Sequence, residues 1–150
     1  MTDTSIKRGI KYRLTLIKDA SFTYEAKICQ PSDCHSILRA LLGGADREHL
    51  VVIALNTKGK VIGVNIAFIG SRNTIHAPAA EILRFAILSA TDTFLVAHNH
   101  PSGDNSPSKD DVNFTQNLKA GASIVGCTLV DHIIYDGDNG FYSLKAHGDM

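Results

Sequence analysis

The sequence predicts a single α/β domain in which helices flank a mixed β-sheet. Its 150 residues, 44% of them hydrophobic, are enough for one compact core and too few for two ordinary domains. Segments with strand-like patterns alternate along the chain with segments of helical periodicity, as expected for an α/β domain. The strongest hairpin signal is a pair of apolar segments that flank the turn sequence "NTKG".

The N-terminal third is predicted to hold a strand pair and one short helix. In "YRLTLIKDASFTYEAKIC" (residues 12–29), apolar and polar residues alternate on both sides of "KDAS", a pattern typical of two strands. In "SDCHSILRALLGG" we expect a helix that has Ser32 as its N-cap and ends at Gly43 and Gly44. Its buried face is predicted to carry Ile37, Leu38, Leu41 and Leu42.

The segments "EHLVVIAL" and "KVIGVNIAFIG" are predicted to form the hairpin. The first is apolar enough to be covered on both faces, so it belongs inside the sheet. The second carries the β-branched residues Val61, Ile62 and Val64, and we take it as a candidate edge strand that holds an extended peptide. The alternative is an internal strand that is paired on both sides.

The remaining elements are predicted to be two helices and three strands. "APAAEILRFAILSA" predicts a helix with Pro78 at its first position and with Ile82, Phe85 and Ala86 toward the core. "TFLVAHNH" predicts a buried strand that ends in two histidines. "SPSKDDVNFTQNLKAGA" predicts a helix with Ser108 as its N-cap, and "CTLVDHIIYD" predicts a strand. "GDNG" is a turn before the last strand, "FYSLKAHG".

Charge and cysteine content restrict the class of protein. Fifteen Lys and Arg residues balance fifteen Asp and Glu residues, so no strong field favours a nucleic acid or an anionic membrane as partner. The three cysteines, Cys29, Cys34 and Cys127, form neither a C-x-x-C pair nor an even disulfide set, which is typical of a reducing compartment. No apolar signal region or membrane-length apolar run is present, so we expect a cytoplasmic protein.

The stretch "AHNHPSGDNSPSKDD" (residues 97–111) carries the candidate chemistry. In an extended chain residues i and i+2 project to the same side, so His98 and His100 point together. Zinc takes histidine and carboxylate ligands and keeps one position for water in catalytic sites. Asp111 lies eleven residues after His100, in the first turn of the next helix. The turn-forming residues between them allow the carboxylate to face the two imidazoles.

Simpler interpretations exist for each of these residues. Two histidines can be a polar strand end, and Ser108 with Asp111 has the spacing of a helix capping box, which stabilises a helix by about 1 kcal/mol without any metal. The capping interpretation leaves the two histidines unexplained, so the metal site is favoured for the group as a whole. His132 is a candidate partner behind the site, but a core histidine is the better interpretation.

The spacing of these residues also points to a known family. His98, Asn99 and His100, then Ser108 after seven residues and Asp111 after two more, reproduce the JAMM signature, and the chain resembles the JAB/MPN metalloproteases. "HNHPSGDNSPSKDD", "LVDHIIY" and "FYSLKAHG" are similar to the RadC-like branch. The resemblance implies a three-layer, deaminase-like α/β fold with a mixed central sheet flanked by helices. We expect a single JAB domain over residues 1–150, without the N-terminal helix-hairpin-helix region of full-length RadC-like proteins.

The resemblance implies a role for each candidate site residue. His98, His100 and Asp111 correspond to the family's zinc ligands. Glu48 in "REHLVVIAL" corresponds to the glutamate that takes a proton from the zinc-activated water and returns it to the leaving amine. Without the resemblance, an ordinary strand-end carboxylate would be the better interpretation of Glu48. Ser108 would give its hydrogen to the oxyanion while its lone pairs cap the helix.

The implied function is a zinc-dependent hydrolase that cleaves a peptide or isopeptide bond in a peptide or protein-conjugate substrate. The alternative is a non-catalytic DNA-repair or mobile-element module of the RadC-like group, although the balanced charge does not favour nucleic-acid binding. A nucleoside deaminase would need a P-C-x-x-C ligand pair, which the three cysteines do not provide. Ala80 stands where RadC-like sequences usually have arginine, a difference that affects substrate contacts and not the metal residues.

Overall fold

The computed structural model describes residues 10–24, 27–70 and 78–150. Its elements alternate between helix and strand as predicted. The helices, in chain order, are a 3₁₀ turn at Pro31–Cys34, α1 at His35–Leu42, α2 at Ala79–Leu88, α3 at Lys109–Ile124 and α4 at Leu144–His147. The strands are β1 at His49–Leu55, β2 at Val61–Ile69, β3 at Thr93–Asn99, β4 at Thr128–Tyr135 and β5 at Phe141–Ser143.

The five strands form one mixed sheet in the order β2-β1-β3-β4-β5. Strands β3 and β4 are parallel, and the other neighbouring strands are antiparallel. The parallel pair needs a crossover, and α3 supplies it. The predicted α/β class with a mixed sheet is therefore confirmed, and so is the edge position of β2.

Two apolar clusters cover the two faces of the sheet. On one face, α1 packs its Ile37, Leu38 and Leu42 on the sheet. On the other face, α2 and α3 pack on it through Ile82, Ala86, Leu118 and Ala122. Successive residues of β1 alternate between the two clusters. The first residue, His49, is half-buried, and the six residues after it are all buried. The prediction that β1 is covered on both faces is confirmed.

The starts predicted for the first two helices are wrong in position. The 3₁₀ turn before α1 starts the helical segment early, and Gln30 is its N-cap instead of Ser32. Asp33 accepts hydrogen bonds from the backbone N–H groups of Cys29 and Gln30 at 2.8 and 3.0 Å, which stabilises this earlier start. Pro78 is the N-cap of α2 and not its first helical residue.

The predicted N-terminal strand pair is not formed in the described residues. Residues 10–24 contain no strand, and Tyr12, Leu14 and Ile17 are exposed; Glu25 and Ala26, also within the predicted pair, lie outside the described residues. Alternation predicts a strand only where a partner strand and an apolar surface are available. The later part of this segment instead packs on the α1 face, where the Tyr24 hydroxyl donates to the Val61 carbonyl at 3.3 Å.

The last predicted strand is shorter than expected because its second half is helical. β5 ends at Ser143, whose hydroxyl accepts a hydrogen bond from the Ala146 N–H at 3.0 Å and starts α4. The same hydroxyl donates to the buried carboxylate of Asp131 at 2.6 Å. Side-chain bonds to the backbone therefore turn the chain into a helix at a point where the sequence pattern continues as a strand.

Two further predictions concern the chain as a whole. Within the described part of the chain, every helix is too short or too polar to cross a bilayer. All three cysteines are free thiols, with Cys34 and Cys127 buried and Cys29 exposed. Burial raises the pKa of Cys34 to about 12, with smaller contributions from the charges of Asp131 and Asp33, so this thiol is an inert core residue, as predicted.

Candidate metal centre

The candidate site lies where β3 ends and α3 begins. His98 is the penultimate residue of β3, and His100 follows its last residue. Ser108 is the N-cap of α3, as predicted: its hydroxyl accepts from the Asp111 N–H at 3.1 Å. The Ser108 N–H in turn donates to Asp111 Oδ2 at 2.8 Å. This reciprocal capping box fixes the orientation of the Asp111 carboxylate.

Three metal-ligating side chains converge at this point. The Nε2 atoms of His98 and His100 are 2.9 Å apart. Asp111 Oδ1 lies 3.3 Å from His98 Nε2, and Asp111 Oδ2 lies 3.8 Å from His100 Nε2. Each residue offers one ligand atom within 4.8 Å of the other two. The structure thus brings together the three residues that the sequence singled out as metal ligands.

The loop after β3 determines which nitrogen of His100 carries the proton. His100 Nδ1 lies 2.5 Å from the backbone carbonyl of Asp104, which can only accept, so Nδ1 donates. In the neutral form of the ring, the lone pair is then on Nε2. Gly103 makes the tight turn that this contact requires, with a φ of 82° and a hydrogen bond from its N–H to the His100 carbonyl at 3.0 Å.

Behind His98 lies a second histidine that sequence reasoning had treated as a core residue. His132 on β4 is fully buried, and its Nε2 lies 2.7 Å from His98 Nδ1. Its other ring nitrogen, Nδ1, lies 2.5 Å from the hydroxyl of Thr115 on α3. His132 is therefore a core histidine, as predicted, and also a direct partner of His98. Thr115 was missed, because nothing in its sequence neighbourhood marks it.

The charge state of His98 excludes an ordinary ion pair with Asp111. Burial lowers the pKa of His98 to about 4; the charge of Asp111 opposes this effect, and that of His100 adds to it. The His98 ring is neutral at pH 7, so the lone pair of its Nε2 faces His100 Nε2 and a carboxylate oxygen of Asp111. Tetrahedral zinc with bonds of about 2.0–2.1 Å needs ligand atoms roughly 3.3 Å apart. The observed donor set fits such an ion.

Glu48 immediately precedes β1, on the strand that lies beside β3. Leu50 pairs with His98 in the antiparallel ladder, so Glu48, two residues earlier, is on the same face near His100. Glu48 is only 7% exposed. Burial raises the pKa of Glu48; the charge of His100 lowers it and that of Asp111 raises it further. The fold therefore brings Glu48 to the group despite a separation of fifty residues from His98.

Asn99, the residue between the two histidines, holds the backbone on both sides of Glu48. Its side-chain oxygen accepts from the His49 N–H at 2.8 Å, and its amide donates to the Arg47 carbonyl at 2.9 Å. Asn99 is 2% exposed, and its side chain lies on the opposite side of β3 from His98 by strand alternation. Sequence reasoning gave this residue no role, because its partners lie about fifty positions away.

The hydroxyl of Ser108 is more engaged than the sequence predicted. Besides accepting from the Asp111 N–H, it donates its hydrogen to Asp111 Oδ2 at 2.6 Å. The hydrogen expected to face an oxyanion is therefore bonded to the carboxylate. A contribution of Ser108 to catalysis requires its hydroxyl to rotate away from Asp111.

Comparison with known proteins places the chain in a family. A model of the RadC-like JAB domain matches residues 28–149. Similar relatives are the UPF0758 proteins of Clostridium kluyveri, 43% identical over 122 residues, and of Carboxydothermus hydrogenoformans, 41% identical over 116 residues. These alignments cover 81% and 77% of this chain but 53% and 51% of the two relatives, so the chain spans about half the length of the curated relatives it matches. The chain belongs to the RadC-like JAB domain family, as the JAMM signature predicted.

Proposed function

We propose that this domain is a zinc-dependent hydrolase of peptide or isopeptide bonds. The observation that carries the proposal is the convergence of two imidazole Nε2 atoms and one carboxylate oxygen, from His98, His100 and Asp111, beside the buried carboxylate of Glu48. Three protein ligands and a nearby general base are the parts of a catalytic zinc site, whereas structural zinc sites use four protein ligands.

His98, His100 and Asp111 would hold the ion. Zinc bound there supplies a Lewis acid that polarises a carbonyl and lowers the pKa of water. Asp111 would bind the ion through Oδ1, because Oδ2 already accepts two hydrogen bonds from Ser108. Because Oδ2 is held by the helix cap, Oδ1 keeps a fixed orientation toward the ion.

Glu48 is the proton carrier of the proposed reaction. It takes a proton from the attacking water and transfers it to the leaving amine. Burial, which raises its pKa, brings the carboxylate closer to the neutral range in which a general base both accepts and releases a proton. The hydrogen bond that the Asn99 side chain accepts from the His49 N–H and the one that it donates to the Arg47 carbonyl keep Glu48 in position during both transfers.

The exposed edge of β2 is the proposed holder of the substrate backbone. Among the described residues, β2 pairs with β1 alone. Its end lies beside Glu48, where the Gly70 N–H donates to the Glu48 carbonyl at 2.8 Å. A peptide added along this edge forms main-chain hydrogen bonds without needing a particular side-chain sequence. Ile66 and Ile69, which are exposed on β2, offer apolar contacts to its side chains. A substrate in this position would run along the sheet edge whose end lies on the Glu48 side of β1.

The proposal is tested first by zinc content. Purified protein reconstituted with zinc should hold about one ion per chain by elemental analysis, and His98→Ala and Asp111→Ala should lose it, because each removes one of three ligands. If the wild type and both variants retain equally little zinc, the site is a polar strand end and the proposal fails.

Catalysis is tested with Glu48→Gln, which keeps the shape of Glu48 but cannot take a proton. The variant should keep its zinc and lower the rate at which new N-termini or released conjugates form in a bacterial lysate by about 10²- to 10⁴-fold. Glu81→Gln is the matched control, because Glu81 is a surface residue of α2 paired with Arg84. An unchanged rate in Glu48→Gln would remove Glu48 from the mechanism.

A further inference from the structure

His98, His132 and Thr115, which we call the buried triad, lie in a row behind the candidate zinc site. All three are 0% exposed. His98 Nδ1 contacts His132 Nε2 at 2.7 Å, and His132 Nδ1 contacts Thr115 Oγ1 at 2.5 Å. Each of these contacts needs one donor and one acceptor. Once the position of one hydrogen is known, the donor and the acceptor in every contact of the triad follow.

The position of the Thr115 hydroxyl hydrogen can be inferred from its contacts. Thr115 is four residues after Asp111 on α3, and its Oγ1 lies 2.6 Å from the Asp111 backbone carbonyl. A carbonyl can only accept, so the single hydroxyl hydrogen of Thr115 points at it. Towards His132 the hydroxyl is then an acceptor, and His132 must carry its proton on Nδ1.

The tautomer of His132 in turn determines that of the candidate ligand His98. His132 is enclosed in the core, with the ring of Phe114 at 6.1 Å between centroids, and burial disfavours a charged imidazole. A neutral His132 with a proton on Nδ1 has a lone pair on Nε2. His98 Nδ1 therefore donates to it, and the lone pair of His98 lies on Nε2, the atom that faces His100 and Asp111.

We infer that His132 and Thr115 are positioning residues of the candidate zinc site, because their hydrogen bonds keep the proton of His98 on Nδ1 and leave its Nε2 to bind the metal. The inference rests on the proposed function for the identity of the ion. The outer partner of a metal-bound histidine fixes both its tautomer and the direction of its ring.

The triad also connects two of the candidate ligands to each other. It begins at His98 on β3 and ends at the backbone carbonyl of Asp111 on α3, whose side-chain Oδ1 faces His98 Nε2 at 3.3 Å. A change at Thr115 therefore affects the site without touching either ligand side chain. This property makes Thr115 the most informative position for a test.

The experiment compares Thr115→Val with Thr115→Ser. Valine has nearly the shape of threonine but leaves the Nδ1–H of His132 without an acceptor. The proton of His132 then shifts to its Nε2, which donates to Nδ1 of His98, and the proton of His98 shifts to its own Nε2. Zinc affinity, measured by competition with a chromophoric chelator, should fall about 10- to 100-fold. Thr115→Ser keeps the hydroxyl and should bind zinc within about threefold of the wild type.

A second readout requires no metal and no substrate. Long-range ¹H–¹⁵N spectra of the histidine rings in metal-free protein identify which nitrogen is protonated. The wild type and Thr115→Ser should show His98 and His132 with the proton on Nδ1, and Thr115→Val should show an increased population protonated on Nε2. His132→Gln, whose amide both accepts and donates, should retain more zinc affinity than His132→Leu, which does neither.

The outcomes separate this inference from the proposed function. Equal zinc affinity in Thr115→Val and Thr115→Ser, with a wild type that binds zinc, overturns the inference and leaves the zinc site in place. A His98 ring protonated on Nε2 in the metal-free wild type also overturns it. A wild type with no zinc affinity overturns the proposed function, and with it the role of the triad toward a metal.

Discussion

The two histidine ligands are two residues apart, but the structure holds them in different ways. His98 belongs to the buried triad, whose members are fully buried and come from three elements. His100 belongs to what we call the loop group, His100, Asp104 and Ser108, which lies around the turn between β3 and α3. Contacts within the triad join residues 34 and 17 positions apart, whereas the His100 ring bonds to the Asp104 carbonyl four positions away and Ser108 bonds to Asp111 three positions away.

This difference indicates how each side of the site tolerates change. The loop group depends on local turns and capping, which re-form easily after a substitution because few other residues are involved. The triad depends on the packing of β3, β4 and α3 against one another, so the loss of one member leaves a buried polar atom without a partner. We therefore expect larger effects on stability from the triad than from the loop group.

The largest effect should come from His98→Ala compared with His100→Ala in metal-free protein. His98→Ala leaves a cavity and an unpaired Nε2 on His132, and should lower the free energy of unfolding by about 3 kcal/mol. His100→Ala removes a side chain that is 15% exposed and one hydrogen bond to a loop carbonyl, which costs about 1 kcal/mol. Urea unfolding of the two variants measures the difference.

Both variants should lose zinc, so zinc binding does not distinguish them. Only the stability of the metal-free protein should differ between the two variants. A loss of stability that is equal in the two variants would show that burial does not distinguish the triad from the loop group. The wild type unfolded in the same metal-free buffer is the reference, since bound zinc would add its own stabilisation to the wild type alone.

The pH dependence of stability should also distinguish the buried triad from the loop group. The pKa of His98 falls from an ordinary 6.5 in the unfolded chain to about 4 in the folded protein. Between these values the unfolded chain binds more protons, so stability is fully present above pH 6.5 and is lost as the pH falls toward 4. The loss for His98 over this range should be on the order of a few kcal/mol.

Two controls make the pH experiment specific. Burial lowers the pKa of His132 well below 6.5, so His132 acts in the same direction as His98. Glu48, whose pKa is raised, acts in the opposite direction as the pH rises above its ordinary value, and the Glu48→Gln background removes it. The decrease should persist in His100→Ala and diminish in His98→Ala. A decrease of the same size in both variants contradicts the assignment to the triad.

The difference between local and long-range contacts also explains which parts of the site the sequence could predict. The capping box of Ser108 and Asp111 and the turn before it were predictable, because all their partners lie within a few residues. The i, i+2 spacing placed both histidines on one side of β3. Thr115 and Asn99 were not predictable, because their partners on β4 and before β1 come close only after the sheet has formed.

The N-terminal segment shows the limit of pattern reasoning in another way. Residues 12–24 alternate between apolar and polar side chains as strongly as β2 does, yet the first part is exposed and unpaired within the described residues. Alternation indicates which face of a strand is apolar, but it does not supply a partner strand. β2 has β1 beside it through a five-residue connection, residues 56–60, and this nearby partner distinguishes the two segments.

The smallest effect should come from the loop group, at Ser108. Ser108→Ala removes the hydroxyl that accepts from the Asp111 N–H and donates to Asp111 Oδ2, and the loss of this N-cap should cost about 1 kcal/mol in urea unfolding. Zinc affinity should fall by less than tenfold, because the backbone N–H of Ser108 still donates to Asp111 Oδ2 at 2.8 Å. Ser108→Thr keeps a hydroxyl and should stay close to the wild type in both measurements. A loss of zinc affinity in Ser108→Ala as large as in Thr115→Val would mean that local capping orients Asp111 as strongly as the triad orients His98, and the two sides of the site would then no longer differ.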